Sequence, residues 1–270
     1  GYIGNKKASG ILLNGLSALE YRGYDSAGIA LLNDRIEVIK VKGKVADLVS
    51  ACLSAGSELN GTIGIGHTRW ATHGKPSKEN AHPHATKDFA IVHNGIIENF
   101  KEIDDFLIKE GYKKSSTTDT ETILLLVDYY SKTLSTFEAL KKAVSVLKGS
   151  FAIALIHLNE EKIYATKKES PLLIGLKNDE LFLASDLSAF LEHTKRFVVL
   201  EENDIAILEK NGTFEIYNDG NKVERLVKSV DWNLQTAQKG GYKHFMIKEI
   251  SEEDEALANT IYAHMQSGKI

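Results

Sequence analysis

The amino-acid sequence predicts an α+β fold in which two β-sheets stack face to face and helices cover their outer sides. Three observations predict it. Short segments rich in Ile and Val, bounded by Gly or Asn/Asp, come in runs: residues 26–32, 35–41, 61–70 and 88–94, then six more beyond residue 160. Helix-periodic segments are grouped as well, which disfavours a regular alternation of strand and helix. Residues 151–158 are apolar almost throughout, as a central strand covered on both faces must be.

Taken in order, Ala8, Ile11, Leu12, Leu16 and Leu19 recur at helical spacing, and Gly23 stands as a C-terminal stop. The first strands follow, with a helical spacing of Val45, Leu48, Val49 and Leu53 around Cys52. Ile97, Phe100, Ile103, Phe106 and Leu107 give the next helix its apolar stripe, with Gly111 as its cap. Residues 119–131 read as a helix buried on most sides, and 135–147 as an amphipathic one. Strands are expected at 162–166, 172–176, 181–184, 196–200, 205–208 and 213–217. Strand signals fade from about Val227, and residues 243–266 read as an approach segment plus helix. With three prolines and no Gly/Ser-rich linker, the organisation expected is one domain over residues 1–240, then a linker and helix over 241–270.

Composition narrows the class. A chain of 270 residues with 43% hydrophobic content can bury a substantial core. A formal charge of −4 lacks the basic footprint of a nucleic-acid binder, so no nucleic-acid partner is expected. No apolar run approaches the roughly twenty residues that cross a bilayer, so no membrane partner is expected either. One cysteine cannot form an internal disulfide, which suits a reducing, cytoplasmic setting. Among helically spaced apolar residues, Cys52 reads as a small core hydrophobe.

Five of the nine histidines, His67, His73, His82, His84 and His93, fall close together. His82-Pro83-His84 resembles half of a metal-hydrolase site, but the acids nearby are only Glu79 and Asp88, and Pro83 constrains its predecessor, so loop histidines making hydrogen bonds are the expectation and no metal site is assigned. His67-Thr68-Arg69-Trp70-Ala71-Thr72-His73-Gly74 ends a strand and opens a polar loop. Arg69 there is either a solvated charge or a forked grip on a carboxylate. Asn94-Gly95 is either a tight turn or a pair of oxyanion donors, the Asn94 amide and the Gly95 N–H. Thr117-Thr118-Asp119-Thr120-Glu121 caps a helix, and its carboxylate can also receive an ammonium group. The polar stretch Glu20-Tyr21-Arg22-Gly23-Tyr24-Asp25-Ser26 can be a plain connection.

The phrases Tyr21-Arg22-Gly23-Tyr24-Asp25-Ser26-Ala27-Gly28, His67 through Gly74, Asn94-Gly95-Ile96-Ile97-Glu98-Asn99 and Thr118-Asp119-Thr120-Glu121 resemble, in order and spacing, those of glucosamine-6-phosphate synthases (glutamine:fructose-6-phosphate amidotransferases). Ser170-Pro171-Leu172, Ala184-Ser185-Asp186 and Lys243-His244-Phe245-Met246-Ile247-Lys248-Glu249-Ile250 match too, so the resemblance covers essentially residues 1–250. It implies the glutaminase domain of an N-terminal-nucleophile amidotransferase, a four-layer αββα sandwich without cofactor or metal. In that family the mature chain begins Cys-Gly-Ile-Val-Gly, and Gly1 resembles its last glycine, which puts the nucleophilic cysteine upstream of Gly1. By resemblance, Asn94 and the Gly95 N–H stabilise the oxyanion, and Arg69 pairs with the α-carboxylate of glutamine, assisted by Thr72 and His73. Asp119 receives the α-ammonium, Trp70 gates the ammonia route, and Arg22 lies near the nucleophile. The implied partners are L-glutamine or L-glutamate, an isomerase domain with fructose 6-phosphate, and further copies in a homo-oligomer. The implied reaction opens hexosamine biosynthesis. The family's Glu-Gln-Pro after Lys-Glu-Ile is replaced here by Ser251-Glu252-Glu253-Asp254-Glu255. Another class II amidotransferase, or a glutamine-binding module without catalysis, are the alternatives.

Overall fold

Alternating apolar residues sort the strands into two sheets in the computed structural model, which describes residues 1–55, 59–70, 74–231, 242 and 245–266. The first sheet joins β1 (Tyr2–Ile3), β2 (Ser26–Leu32), β3 (Ile36–Lys42), β4 (Ile63–Arg69), β9 (Leu173–Lys177), β10 (Glu180–Ala184), β11 (Arg196–Val199) and β15 (Val227–Ser229). Their order is β15-β11-β9-β10-β1-β4-β2-β3. The second joins β5 (His84–Ala85), β6 (Phe89–Ile97), β7 (Gly149–His157), β8 (Lys162–Lys168), β12 (Ile205–Glu209), β13 (Phe214–Asn218) and β14 (Asn221–Val223), ordered β14-β13-β12-β8-β7-β6-β5. Each pairing within them is antiparallel.

Three apolar clusters separate four layers. Ile63, Ile65, Val92, Ala152, Ala154, Leu181 and Leu183 fill the space between the sheets. On the outer side of the first sheet, Ile29 and Leu31 meet Leu12 and Leu16 of α1 (Ala8–Ala18) and Leu48 and Cys52 of α2 (Val45–Ala55). On the outer side of the second, Ile91, Ile153 and Leu155 meet α3 (Phe100–Lys109), α4 (Asp119–Ser131) and α5 (Thr136–Val144). This is the αββα order expected, and β7 sends Ala152, Ala154 and Ile156 to one cluster and Phe151, Ile153 and Leu155 to the other. A near-continuous apolar run is what two buried faces require.

Several expectations are corrected locally. Asn94-Gly95 is no turn: β6 runs through it to Ile97, which pairs with Gly149, so Ile97 belongs to a strand and not to the α3 stripe. A 3-10 turn, Glu20–Arg22, stands between α1 and Gly23. Leu53 is 77% exposed, leaving Val45, Leu48 and Cys52 as the buried stripe of α2. Strand structure persists past Val227 as β15, an edge strand too short for a periodic signal. The chain divides into two units, Gly1–Val230 and Asp231–Ile270, the second containing α6 (Phe245–Gln266). The expected boundary at residue 240 lies outside the described residues. Among the described residues, no helix is long and apolar enough to cross a membrane.

Candidate active site

The ends of β4 and β6 and the start of α4 converge on one cavity of about 410 Å³. Arg22, Arg69, Trp70, Asn94, Gly95 and Asp119 all line it, so every site residue the sequence pointed to within the described residues reaches the same space. Thr72 and His73 lie outside the described residues. The cavity extends past Gly1, between residues 66–69 of β4 and residues 183–185 at the end of β10.

Each side chain is held for a local reason. Arg69, the last residue of β4, is buried, and its guanidinium donates to the Gly74 carbonyl at 3.1 Å and lies 3.7 Å from the Asp25 carboxylate. Burial pulls its pKa down from the ordinary arginine value, while Asp25 and Asp119 pull it up. Asp119 opens α4, where backbone N–H groups favour an anion. It is buried, and its carboxylate accepts from the Ile97 N–H at 2.9 Å, which ties the helix to the end of β6. Thr118 caps that helix by accepting from the Glu121 N–H. The cavity wall therefore carries a buried cation and a buried anion, the charge pair that a zwitterionic ligand matches.

Asn94 is exposed to the cavity on β6. Gly95 has φ 142°, and a Cβ there would stand 2.1 Å from the Ser150 carbonyl oxygen, so no other residue fits beside β7 at this point. At the mouth, the Trp70 ring lies against Gly23, where a Cβ would come within 2.7 Å of it. The Trp70 side chain is otherwise open to solvent, at 68% exposure. Arg22 donates to Asp186 at 2.6 Å and to Ser185 at 3.0 Å.

Histidines whose chemistry the sequence left open share this wall: His67, His82 and His93 line the cavity beside Arg69 and Asp119. His67 and His82 rings are 4.5 Å apart and His82 and His84 rings 5.2 Å apart. His84 bonds Thr118 at 3.0 Å and His93 bonds Thr120 at 3.1 Å. Burial lowers the pKa of His67 and of His84 to about 3 each, and pushes His82 and His93 below the usual histidine value, so all four are neutral near pH 7. Among the described residues, no group of three or more His, Cys, Asp or Glu is arranged to hold a metal ion. Asn80, buried between two loops beside this wall, was not singled out from the sequence, because a buried amide in a polar loop leaves no periodic trace.

The glutamine amidotransferase domain family matches residues 67–192. Over 273 residues the chain is 44% identical to the glutamine--fructose-6-phosphate aminotransferase (isomerizing) of Clostridium acetobutylicum, covering 100% of this chain and 44% of that protein. The Aquifex aeolicus protein of the same name is 48% identical over 268 residues, covering 97% of this chain and 44% of its own length. The chain thus spans under half the length of these relatives. Among solved structures, the glutamine phosphoribosylpyrophosphate amidotransferase of B. subtilis superimposes with a TM-score of 0.68 at 24% identity, over 80% of this chain and 48% of that one. That likeness concerns the fold.

Proposed function

The chain belongs to the glutamine amidotransferase family, and on that premise we propose that it hydrolyses L-glutamine through a cysteinyl thioester to L-glutamate and ammonia. The observation that carries the reading is the buried Arg69 and Asp119 on one cavity wall with Asn94 and Gly95. Arg69 takes the α-carboxylate of glutamine, Asp119 takes the α-ammonium, and the side-chain amide is left facing Asn94 and Gly95. Thr72 and His73 assist at the carboxylate, and Trp70 covers the ammonia route.

The nucleophile is a cysteine upstream of Gly1. The register supports this: Tyr2 faces Gly64 and Ile3 faces Ile63, so each step back along β1 is one step forward along β4. Gly1 then faces Ile65, and a strand continued upstream brings its fourth residue opposite Arg69, into the cavity. There the thiol attacks the amide carbon and its proton passes to the chain's own α-amino group, whose ordinary pKa of about 7.7 to 8.0 suits a base near neutrality. The Asn94 amide and the Gly95 N–H stabilise the oxyanion. Ammonia leaves with that proton as the thioester forms, and water then releases glutamate. Arg22 lies beside the terminal residue.

The ammonia serves the conversion of fructose 6-phosphate to glucosamine 6-phosphate on an isomerase domain beyond α6; the relatives' name supports the fructose 6-phosphate acceptor and the isomerisation. A homo-oligomer in the cytoplasm is the setting this reading carries.

The test is a chain bearing Cys-Gly-Ile-Val before Gly1, its cysteine N-terminal. Glutamate release from glutamine is expected from it, and none from the same chain with Ser for that Cys. Equal turnover by both proteins would mean that another group is the nucleophile.

A further inference from the structure

The charged wall needs a fixed separation between Arg69 and Asp119, because a ligand that meets both must carry its own charges at a set distance. These two residues come from different elements. Arg69 ends β4 and donates to Gly74, which opens the loop at residues 74–80, whereas Asp119 follows the loop at residues 115–118. Asn80 joins the two loops.

Its amide nitrogen donates to the Lys75 carbonyl at 2.9 Å and to the Thr117 hydroxyl at 3.1 Å, while its amide oxygen accepts from the Thr117 N–H at 3.0 Å. The Asn80 N–H is held by the Ser77 hydroxyl at 3.2 Å. Gly74 packs into the same junction with φ 79°, and a Cβ on it would lie 2.4 Å from Thr117 Oγ1 and 2.7 Å from the Asn80 amide nitrogen. The Gly74 carbonyl in turn accepts from Arg69.

Both sides of this junction are themselves anchored. The Lys40 ammonium donates to the Glu79 and Ala81 carbonyls on either side of Asn80, at 3.2 and 2.9 Å. Glu121 accepts from the Ser115 and Ser116 N–H groups at 2.9 and 2.6 Å, and Thr118 bonds His84. A path of packed and hydrogen-bonded groups therefore runs Arg69, Gly74, Asn80, Thr117, and from Thr117 the backbone continues through the cap Thr118 to Asp119. Asn80 is not among the residues that line the cavity.

We propose that Asn80 is a positioning residue that fixes the distance between Arg69 and Asp119, and through it the fit of the site to one amino-acid zwitterion. The proposal rests on the reading of that wall as the glutamine site. A buried amide that satisfies donors and acceptors of two loops at once cannot be replaced by an apolar side chain without leaving the Thr117 N–H and the Lys75 carbonyl unpaired. The loops then part, and the two charges lose their common spacing.

The test is a double-mutant cycle on the binding of L-glutamate, followed by NMR titration of the chain. Asn80→Ala is expected to weaken binding by about tenfold in an otherwise unchanged chain, but by less than about twofold in an Asp119→Asn background, where only one charge is left to place. Thr117→Val, which removes the hydroxyl and keeps the backbone bond to Asn80, is expected to show the same non-additivity with a loss of about threefold, and it serves if Asn80→Ala does not fold. Equal losses in both backgrounds, or no loss in a folded variant, overturn the role of Asn80 while leaving the wall a glutamate site. No binding of L-glutamate by the unchanged chain overturns the reading of the wall itself.

Discussion

Asn94 shows how a single residue separates a catalytic role from a structural one. Its side chain is exposed to the cavity. Asn94→Ala should therefore leave the unfolding free energy within about 0.5 kcal/mol of the parent. An oxyanion donor acts only as charge develops on the amide oxygen, so turnover should fall about a hundredfold or more, corresponding to roughly 2.7 to 4 kcal/mol, with L-glutamate affinity nearly unchanged. Single-turnover thioester formation, in the chain with its upstream cysteine, is the measurement. A normal rate in a folded Asn94→Ala protein would remove this residue from the chemistry. Cys52 is the opposite case. It packs against α1 and the first sheet, burial raises its thiol pKa, and it is absent from the cavity wall, in keeping with its helical spacing among apolar residues.

At the scale of elements, legibility followed periodicity. The helix α4 was readable to the residue, because Thr118 offers a cap and residues 119–127 are buried on every side. Strand β2 was equally plain, with all seven residues buried. The end of β6 was not. Asn-Gly is a strong hairpin signal when it stands alone, and only its pairing with Ala152 and Phe151 of β7 makes it part of a strand. That pairing depends on glycine. Gly95→Ala must place a methyl group against the Ser150 carbonyl at a φ that L-residues avoid, which should cost on the order of 3 kcal/mol. Urea unfolding should show a lowered midpoint at unchanged slope, in contrast to Asn94→Ala next to it. Equal stability of the two variants would mean that the strand end relaxes and that its shape does not hold the site. The short strands β5, β14 and β15 escaped the sequence because two or three residues cannot display an alternation; partner strands define them.

Across the whole molecule, the sandwich was legible because grouped strands and a two-faced apolar run leave few other ways to bury the same surface. What brings residues from distant parts of the chain to one cavity, and which polar groups are buried behind it, was not, since neither has a local pattern. The histidines are the clearest instance: clustered in sequence they suggested loops or metal, whereas the fold buries His82, His84 and His93 and half-buries His67 beside Arg69 and Asp119. This has a measurable effect on stability. In the unfolded chain a histidine titrates near pH 6.5, while His67 and His84 in the fold take a proton only near pH 3. Between these values the unfolded state binds more protons, so stability rises with pH through that window, is complete above about 6.5, and declines as the pH falls. From pH 7 to pH 5, each of the two histidines should remove about 2 kcal/mol from the unfolding free energy. Most carboxylates have yet to take up protons at pH 5, but the buried Gly1 α-amino group, pulled down to about 5, adds a loss of the same sign, so only the difference between chains with and without one imidazole isolates that imidazole. His84→Gln keeps a group able to bond Thr118 and has no proton to gain, so it should flatten the decline by about 2 kcal/mol. Denaturant titrations of both proteins at pH 7, 6 and 5 measure it. A stability that is flat over this range in the unchanged chain would mean that these imidazoles accept protons in place, and that water reaches them.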